Sequence, residues 1–507
     1  MKSVCSIFNE VFGPVMYGPS SSHTAAPCRI GLTSRSLLNG TLKRAEVCFD
    51  EKSSYAATYK FHNTDRGFVA GLLGIGTDEE EHLRAFDIMK ERKIDIQFQI
   101  VSQENQHPNF ALIKLWSEED YVEVGSISTG GGAFEIVSVD GFEVHITGES
   151  WYTLVKNPEW EPDSQVSAEW SQKNGERLLT IRTFSDVCPS VPDGIWVRHC
   201  APVLWVPARE QYEMAFSSYK EAVVYGKKKQ VSAGELGLAY EMARSGKSRE
   251  ELMERMDLVR TVMHDSVYES MGGTSERRIS GYYSVKSPQV ASALERLPAE
   301  LAGTVRIGAR AASVFEYTLA AGLVVAAPTG GSSGVIPAAI VCLGEDMGLA
   351  EKEINMALFA AGLVGVFISD EATFGCEVAG CQAENGSASA MAAAGVAQML
   401  GGTLEQVFDA AAIALQNTLG LICDPVAAAY VPCVTRNSMA AVNAVSSAGQ
   451  VVCGFKAHIP LDDTIRTMMQ IGREMPVSFR CTGGGLNCCE AGCRLNEQGN
   501  EYIKSLL

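Results

Sequence analysis

Three cysteines in the second half of the chain have neighbours that suit a metal-binding thiolate. Cys381, Cys423 and Cys433 lie beside glycine, proline, acidic and amide residues rather than within plain apolar helix. A cysteine that only fills core space acts as a small hydrophobic residue and needs no such neighbours. A metal-binding thiolate needs polar groups to stabilise its charge, and the chain must bend for three sulfurs to converge. These residue types indicate a metal or cluster site between Phe374 and Ala444.

The spacing of these cysteines leaves two interpretations open. No Cys-x-x-Cys pair occurs among the three, which excludes a ferredoxin-type run and a zinc ribbon. Three thiolates would leave one iron of a [4Fe–4S] cluster open as a Lewis acid. Spacing alone favours buried structural thiols instead, because the chain has 15 cysteines. The cysteines that we assign to this structural kind are Cys5, Cys28, Cys48, Cys342 and Cys453.

A second candidate site lies in the sequence GPSSSHTAAPCRIG, residues 18–31. Its hydroxyl and imidazole groups precede a predicted helix, whose first N–H groups and positive dipole end suit a carboxylate or phosphate. A serine-rich loop with an ordinary N-cap explains the same residues about as well, because short motifs of this kind give many false positives. The candidate residues are Ser20, Ser21, Ser22, His23 and Thr24.

A third candidate is the glycine- and serine-rich sequence APTGGSSGVIPAAI, residues 327–340. Such a loop can hold an anion on its backbone N–H groups. It lacks the lysine of a Walker-type phosphate loop, and taken alone it is better explained as a tight turn between helices. The candidate residues are Thr329, Gly330, Gly331, Ser332 and Ser333.

The C-terminal sequence SFRCTGGGLNCCEAGC brings four more thiols close together, Cys481, Cys488, Cys489 and Cys493. This density suggests a metal, but a flexible end with incidental thiols is the simpler interpretation. The segment RCTGGGL is also able to lie back across the site.

The pattern of apolar residues predicts an α+β N-terminal domain, residues 1–227, followed by a mostly α-helical catalytic domain, residues 228–507. RAEVCFD, DIQFQIV and FALIKLW have the β-branched and aromatic content of strands. Residues 149–209 contain five of the six tryptophans and are predicted to add extra β structure. Ser232 and Glu235 form a capping-box pattern at the start of the helical part.

Composition limits the partners. A net charge of −18 argues against nucleic acid and against an anionic membrane surface. The apolar run 317–344 is interrupted by PTGGSSG, which argues against a membrane span. The N-terminus has no signal-peptide pattern, so the many cysteines indicate a reducing compartment and a cytoplasmic protein. Apolar helices rich in small residues are compatible with a homodimer.

Taken together, these motifs resemble the iron–sulfur type of bacterial L-serine dehydratase. The similar sequences are GPSSSHT followed by P-x-R-I-G, PTGGSSGVIPA, EVAGCQ-x-E-x-G, LGL-x-CDPV, VPC-x-x-RN-x-MA and a late GGGL, in the order of that family. The resemblance is patchy over the first ~150 residues and nearly continuous after residue 231, which short chance matches do not explain.

The resemblance implies a lyase that dehydrates L-serine to pyruvate and ammonia in amino-acid metabolism and gluconeogenesis, without pyridoxal phosphate. It implies that Cys381, Cys423 and Cys433 hold a [4Fe–4S] cluster whose open iron binds the β-hydroxyl group. It places both polar loops, residues 20–24 and 329–333, near the amino-acid substrate. His23 is the first candidate for the base or for a carboxylate contact, and Glu384 and Asn437 are the second choices.

Several departures from the family pattern leave the substrate open. CDPVAAAYVPC is one residue shorter than usual and lacks a glycine, Ala26 stands where the family usually has glycine, and segment 149–209 is additional. The terminal cysteine that some members carry is also missing. Alternatives are the same cluster chemistry on another β-substituted amino acid or β-hydroxy acid, a non-catalytic amino-acid sensor without the cluster, and a pyridoxal-phosphate enzyme.

Overall fold

The computed structural model describes residues 4–102, 107–162, 167–186, 195–209, 212–272, 278–279, 283–426, 431–481 and 483–504. The chain divides into two compact units. The helical unit combines Met1–Ser20 with Tyr212–Leu507, and the sheet unit is Ser21–Gln211. The contacts therefore group the first twenty residues with the helical unit, whereas the sequence prediction assigned them to the N-terminal domain. The shortened part of CDPVAAAYVPC, residues 427–430, lies outside the described residues.

The strands follow the alternation of apolar and polar residues that buries one face of a sheet. Within the described residues they are β1 (Val15–Tyr17), β2 (Arg44–Asp50), β3 (Asp95–Val101), β4 (Phe110–Trp116), β5 (Tyr121–Gly130), β6 (Ala133–Val139), β7 (Phe142–Ile146), β8 (Trp151–Lys156), β9 (Ser167–Lys173), β10 (Glu176–Thr183), β11 (Val197–Cys200), β12 (Arg278–Ile279), β13 (Tyr283–Ser284) and β14 (Leu323–Val325).

Helices dominate the second half of the chain, as the sequence predicts. Those described are α1 (Ala26–Ser36), α2 (Ser54–Thr58), α3 (Thr64–Leu72), α4 (Ala85–Glu91), α5 (Tyr219–Lys229), α6 (Ala233–Ser245), α7 (Arg249–Gly272), α8 (Ser287–Ser292), α9 (Ala299–Leu319), α10 (Leu343–Asp346), α11 (Glu351–Glu371), α12 (Cys376–Ala379), α13 (Ser387–Met399), α14 (Leu404–Gln416), α15 (Val431–Val452), α16 (Leu461–Glu474) and α17 (Glu490–Lys504).

The sheet unit contains a six-stranded sheet in the order β3-β2-β4-β5-β6-β7, in which β2 is parallel to β3 and antiparallel to β4. Helix α1 packs against this sheet and crosses α3 closely. A Cβ atom on Gly71 would lie 2.0 Å from the Cys28 carbonyl oxygen, so only glycine permits this crossing. Segment 149–209 supplies a second, antiparallel sheet in the order β11-β8-β10-β9.

The helical unit is built around α13, which packs against α11, α14 and α15. Its residues are small, and those from Ser387 to Ala397 are buried on every face. Small side chains let neighbouring elements approach α13 closely. At Gly395, for example, a Cβ atom would lie only 2.2 Å from the Ile340 side chain. The sequence immediately before α13 supplies Cys381 and Glu384, so this packing fixes the candidate site.

One described helix, α11, is long and apolar enough to cross a membrane by length and composition. However, 78% of its most apolar window is buried within the protein, which is the environment of a core helix. Among the thiols predicted to be structural, Cys5, Cys28, Cys48 and Cys342 are buried. Cys453 is exposed, so the prediction of a buried structural thiol is wrong there.

Candidate metal centre

Cys381 lies at a sharp turn between α12 and a π-helical turn, Gln382–Gly386, that leads into α13. Gly380 makes the turn with a φ of 75°, in the left-handed region that favours glycine. A Cβ atom there would lie 2.8 Å from the Leu421 carbonyl oxygen. The buried Gln382 side chain donates to the Met468 carbonyl oxygen and accepts from the Gly420 N–H, which fixes the turn against two other segments.

Cys423 is held by backbone hydrogen bonds to the C-terminal segment. Its N–H donates to the Phe479 carbonyl oxygen at 2.8 Å, and its carbonyl oxygen accepts from the Cys481 N–H at 2.9 Å. The described part of RCTGGGL therefore lies back across the candidate site. This pairing places Cys481 next to Cys423 although the two are far apart in sequence.

Cys381 lies beside a partly buried ion pair and hydrogen-bonds Cys423. Arg436 donates to Asp424 at 2.5 Å and to the Cys381 sulfur at 3.8 Å. The hydrogen bond with Cys423, assisted by Arg436 and Asn385, lowers the pKa of Cys381 despite its burial. Hydrogen bonds to Cys376 and Cys381 raise the pKa of Cys423. These contacts therefore stabilise a negative charge on Cys381 relative to Cys423.

Two thiols that the cluster prediction did not include lie in this region. The sulfurs of Cys376, Cys423 and Cys481 are all within 4.8 Å of one another. Cys376 begins the short helix α12. Its neighbours Gly375 and Glu377 are of the kind that marked the other cysteines, but the cluster prediction did not include it. For Cys481 the sequence did offer a signal, because the glycine-rich RCTGGGL segment was expected to be able to lie back across the site. Burial raises the pKa of the neighbouring Glu377 carboxyl to about 7, and Cys481 adds to the shift.

Cys433 lies in the first turn of α15 and is buried. Burial raises the pKa of its thiol, and the charge of Cys381 raises it further. It is therefore close enough to interact with the other predicted residues, but it is not part of the triad formed by Cys376, Cys423 and Cys481.

Glu384 projects from the same turn as Cys381 into the glycine-rich loop. Its Oε1 atom accepts a 2.6 Å hydrogen bond from the Thr329 hydroxyl group, and its Oε2 atom is 4.0 Å from the Cys381 sulfur. A Cβ atom on Gly331 would lie 2.2 Å from Oε1, so the carboxyl group occupies space that only a glycine leaves. Burial and the charge of Cys381 raise its pKa well above the usual range, so the protonated form is favoured.

Asn437 connects the glycine-rich loop to α15. Its Nδ2 group donates to the carbonyl oxygens of Gly331 and Cys433 at 2.8 and 3.0 Å, and its Oδ1 atom accepts from the Gly334 N–H at 3.1 Å. These bonds use both ends of the buried amide, so its contacts are those of a positioning residue. Elsewhere in the loop, the Ser332 hydroxyl donates to the Ala327 carbonyl oxygen, and the Ser333 hydroxyl hydrogen-bonds Thr318.

The serine-rich motif belongs mainly to the sheet unit, where Ser21–Ala25 form a π-helical turn before α1. The Nδ1 atom of His23 lies 2.9 Å from the Ser22 hydroxyl oxygen, and its Nε2 atom lies 3.0 Å from the Ser54 hydroxyl oxygen. The His62 ring packs edge-on against His23 with 4.8 Å between centroids. Burial lowers the pKa of His62 well below its usual range, and His23 lowers it further. His62 and Ser54 were not identified from the sequence.

The chemistry of the thiol donors fits an iron–sulfur cluster. Cys381, Cys423 and Cys433 are buried, the pKa of the Cys381 thiol is lowered by its hydrogen bond with Cys423, and Arg436 offers a positive hydrogen-bond donor to the Cys381 sulfur. Buried thiolates with nearby donors are the ligands such clusters use. The three cysteines lie on three separate elements, which is why their sequence spacing resembles no local motif.

Comparisons with known proteins agree with this chemistry. A family model described as "Serine dehydratase alpha chain" matches residues 228–487. The probable L-serine dehydratase alpha chain of Bacillus subtilis is 37% identical over 288 residues, which cover 56% of this chain and 95% of that protein. L-serine dehydratase 1 of Escherichia coli is 27% identical over 491 residues, covering 92% of this chain and 95% of that protein.

The L-serine dehydratase of Helicobacter pylori J99 is 26% identical over 499 residues, covering 96% of this chain and 98% of that protein. These similarities extend over both compact units. The chain belongs to the iron–sulfur-dependent L-serine dehydratase family.

Proposed function

We propose that this enzyme dehydrates L-serine to pyruvate and ammonia with a [4Fe–4S] cluster held by Cys381, Cys423 and Cys433. The observation that carries the proposal is the buried Cys381 thiol, whose pKa is lowered by its hydrogen bond with Cys423 and by the nearby Arg436, which also pairs with Asp424. A buried thiol whose charged form is stabilised in this way has no evident packing purpose and suits a metal ligand.

When bound, a cluster with three protein ligands supplies a Lewis acid that makes the serine β-hydroxyl group a better leaving group. The chain must provide the remaining steps. A base removes the proton from Cα while the C–O bond at Cβ breaks, and a proton accompanies the departing hydroxide as water. The resulting enamine tautomerises and hydrolyses to pyruvate and ammonia.

Glu384 is our candidate for delivering the proton to the leaving hydroxyl group. Its carboxyl group is held neutral by burial, and the Thr329 hydroxyl fixes Oε1 so that Oε2 faces the Cys381 sulfur. A neutral acid beside the departing oxygen avoids releasing free hydroxide. For Asn437 we propose a positioning role, because its hydrogen bonds join the glycine-rich loop to α15.

His23 remains the candidate for the base or for a contact to the substrate carboxylate. The Ser22 and Ser54 hydroxyl groups lie within hydrogen-bond distance of its two ring nitrogens and fix the ring. Ser20 to Thr24 and Thr329 to Ser333 remain the proposed substrate-binding loops.

The test uses anaerobically purified full-length protein and two readouts. We expect about four irons and four sulfides per chain, together with pyruvate release that depends on L-serine. The Cys423→Ala variant should lose both, and the matched Cys453→Ala variant, which removes an exposed thiol, should keep both. Wild-type protein without iron, or serine turnover unchanged in Cys423→Ala, would contradict the proposal.

A second candidate keeps the cluster and changes the substrate to another β-substituted amino acid or β-hydroxy acid. It is favoured by the additional sheet of strands β8–β11 and by the shortened CDPVAAAYVPC sequence. Turnover of L-serine at least equal to that of such analogues would refute it.

We also propose that the enzyme is cytoplasmic and forms a homodimer. The many cysteines support the first proposal, because free thiols suit a reducing compartment. Helices rich in small residues are compatible with the second, which light scattering of the purified holoenzyme tests. A monomeric mass at working concentrations would refute the dimer.

A further inference from the structure

Three thiols at the site are arranged differently from the three proposed cluster ligands. The sulfurs of Cys376, Cys423 and Cys481 lie within 4.8 Å of one another. They come from helix α12, from the loop that follows Gly420, and from the C-terminal segment. Backbone hydrogen bonds of Cys423 with Phe479 and Cys481 hold the last two together. The close approach of Cys423 and Cys481 is therefore built into the fold.

The separation of these sulfurs suits one metal ion. Thiolates that bind one tetrahedral ion at about 2.3 Å lie about 3.8 Å from each other. Thiolates that bind a [4Fe–4S] cluster each reach a different iron, so their sulfurs lie farther apart. The three thiols need only small side-chain movements to meet on a single ion.

The donor type selects the ion. Three thiolates favour soft or borderline cations such as Zn²⁺ over the hard cations Mg²⁺ and Ca²⁺. A site with three protein ligands leaves the fourth tetrahedral position to water. Neither Cys376 nor Cys481 belongs to the proposed cluster ligands, whereas Cys423 belongs to both sets.

We propose that Cys376, Cys423 and Cys481 bind a single soft divalent cation of the zinc class when the cluster is absent. Binding converts the thiols to thiolates and releases their protons to solvent. Because Cys423 is shared, the single ion and the cluster exclude each other. This last consequence rests on the proposed function, but binding of the ion itself does not.

The test uses full-length protein that has been freed of iron and kept reduced under anaerobic conditions. Co²⁺ is the probe, because thiolate ligation gives it intense charge-transfer absorption, and Zn²⁺ is then added to displace it. We expect one Co²⁺ per chain. Cys376→Ser and Cys481→Ser should each weaken binding by at least about tenfold, the loss that removal of even an outer-sphere partner produces.

Two control variants make the test specific. Cys433→Ser removes a proposed cluster ligand outside the triad, and Cys489→Ser removes an exposed thiol of the C-terminal segment. Both should bind Co²⁺ as the wild type does. Far-ultraviolet circular dichroism checks that all variants are folded. Binding lost equally in Cys433→Ser, or retained in both Cys376→Ser and Cys481→Ser, would overturn the proposal.

Cluster content separates this inference from the proposed function. After anaerobic reconstitution, Cys376→Ser and Cys481→Ser should contain iron and sulfide at the wild-type level, whereas zinc-loaded wild-type protein should not. If the wild type accepts no cluster but binds Co²⁺ through the triad, the single-ion site stands and the proposed function fails. Full reconstitution of zinc-loaded protein with zinc retained would refute the exclusion.

Discussion

Asp424 provides the sharpest test of how the site is held together. It is 2% exposed at the side chain, pairs with Arg436 at 2.5 Å and accepts the Leu486 N–H at 2.9 Å. Asp424→Asn keeps the shape but removes the charge, which leaves a buried guanidinium without its carboxylate. Such a loss costs about 3–5 kcal/mol. We expect about 3 kcal/mol, the lower end of that range, because Arg436 retains its contact with the Cys381 sulfur.

The distribution of tryptophan allows the loss of stability in the helical unit to be measured separately from the sheet unit. The helices are concentrated in the helical unit, so far-ultraviolet circular dichroism during urea unfolding follows mainly that unit. Tryptophan fluorescence follows the sheet unit, which contains Trp116, Trp151, Trp160, Trp170, Trp196 and Trp205. Asp424→Asn should lower the free energy of unfolding in the circular dichroism transition.

Two further variants separate the buried charge from a general effect of substitution. Asp463→Asn breaks an exposed pair with Arg466 in the same unit and should cost less than about 1 kcal/mol. Asp424→Asn combined with Arg436→Met removes both buried charges and should be more stable than Asp424→Asn alone. A double variant whose cost equals the sum of the two single costs would refute the reasoning, because it would show no coupling between the residues.

Three other predictions follow from single contacts. Gly331→Ala should displace the Glu384 carboxyl group, because the added Cβ atom would overlap it. We expect kcat for serine to fall by at least about tenfold, equivalent to about 1.4 kcal/mol, while the iron content stays unchanged. A normal kcat would contradict the proposed role of Glu384. Cys433→Ser should lose cluster iron while Cys453→Ser keeps it, as measured by iron and sulfide analysis. Burial lowers the pKa of His82 to about 4, so stability is lost as pH falls from about 6.5 to about 4. Protonation of His82 in the unfolded state should therefore lower the tryptophan-monitored free energy of unfolding by about 2 kcal/mol between pH 7 and pH 5. His82→Gln should remove that part of the pH dependence. The same pH dependence in His82→Gln as in the wild type would contradict the prediction.

Much of the fold could be predicted because local sequence patterns match local structure. RAEVCFD, DIQFQIV and FALIKLW correspond to β2, β3 and β4, since each combines strand-forming residues with alternating burial. Ser232 caps α6 by accepting the Glu235 N–H, as its sequence pattern indicates. Strand β5, YVEVGSISTG, was missed, because glycine and serine hide its alternation. The pairing of β1 with β14 was also not predictable, because it joins segments about 300 residues apart.

The site was only partly predictable for the same physical reason. Cys381 and Cys423 are close together, as the cluster prediction requires. Cys376 and Cys481 were missed because their proximity depends on how α12 and the C-terminal segment pack. The number of residues between two cysteines does not show whether they are close in space, unless a local turn brings them together. The contact between the Glu384 carboxyl group and Gly331 also depends on tertiary packing. It is recognised in the structure because a Cβ atom on Gly331 would overlap the carboxyl group.

The charges at the site explain why both proposals involve a cation. Cys381 and Asp424 are acidic groups close to Arg436, and Glu384 and Glu377 add two carboxyl groups nearby. One guanidinium cannot neutralise four acids. Burial raises the pKa of Glu377 to about 7 and that of Glu384 well above its usual range, so both carboxyl groups hold their protons more tightly than usual. A positively charged iron–sulfur core or a single metal ion lowers the cost of ionising the thiols that bind it. Metal binding at this site should therefore release thiol protons, whichever set of cysteines holds the metal.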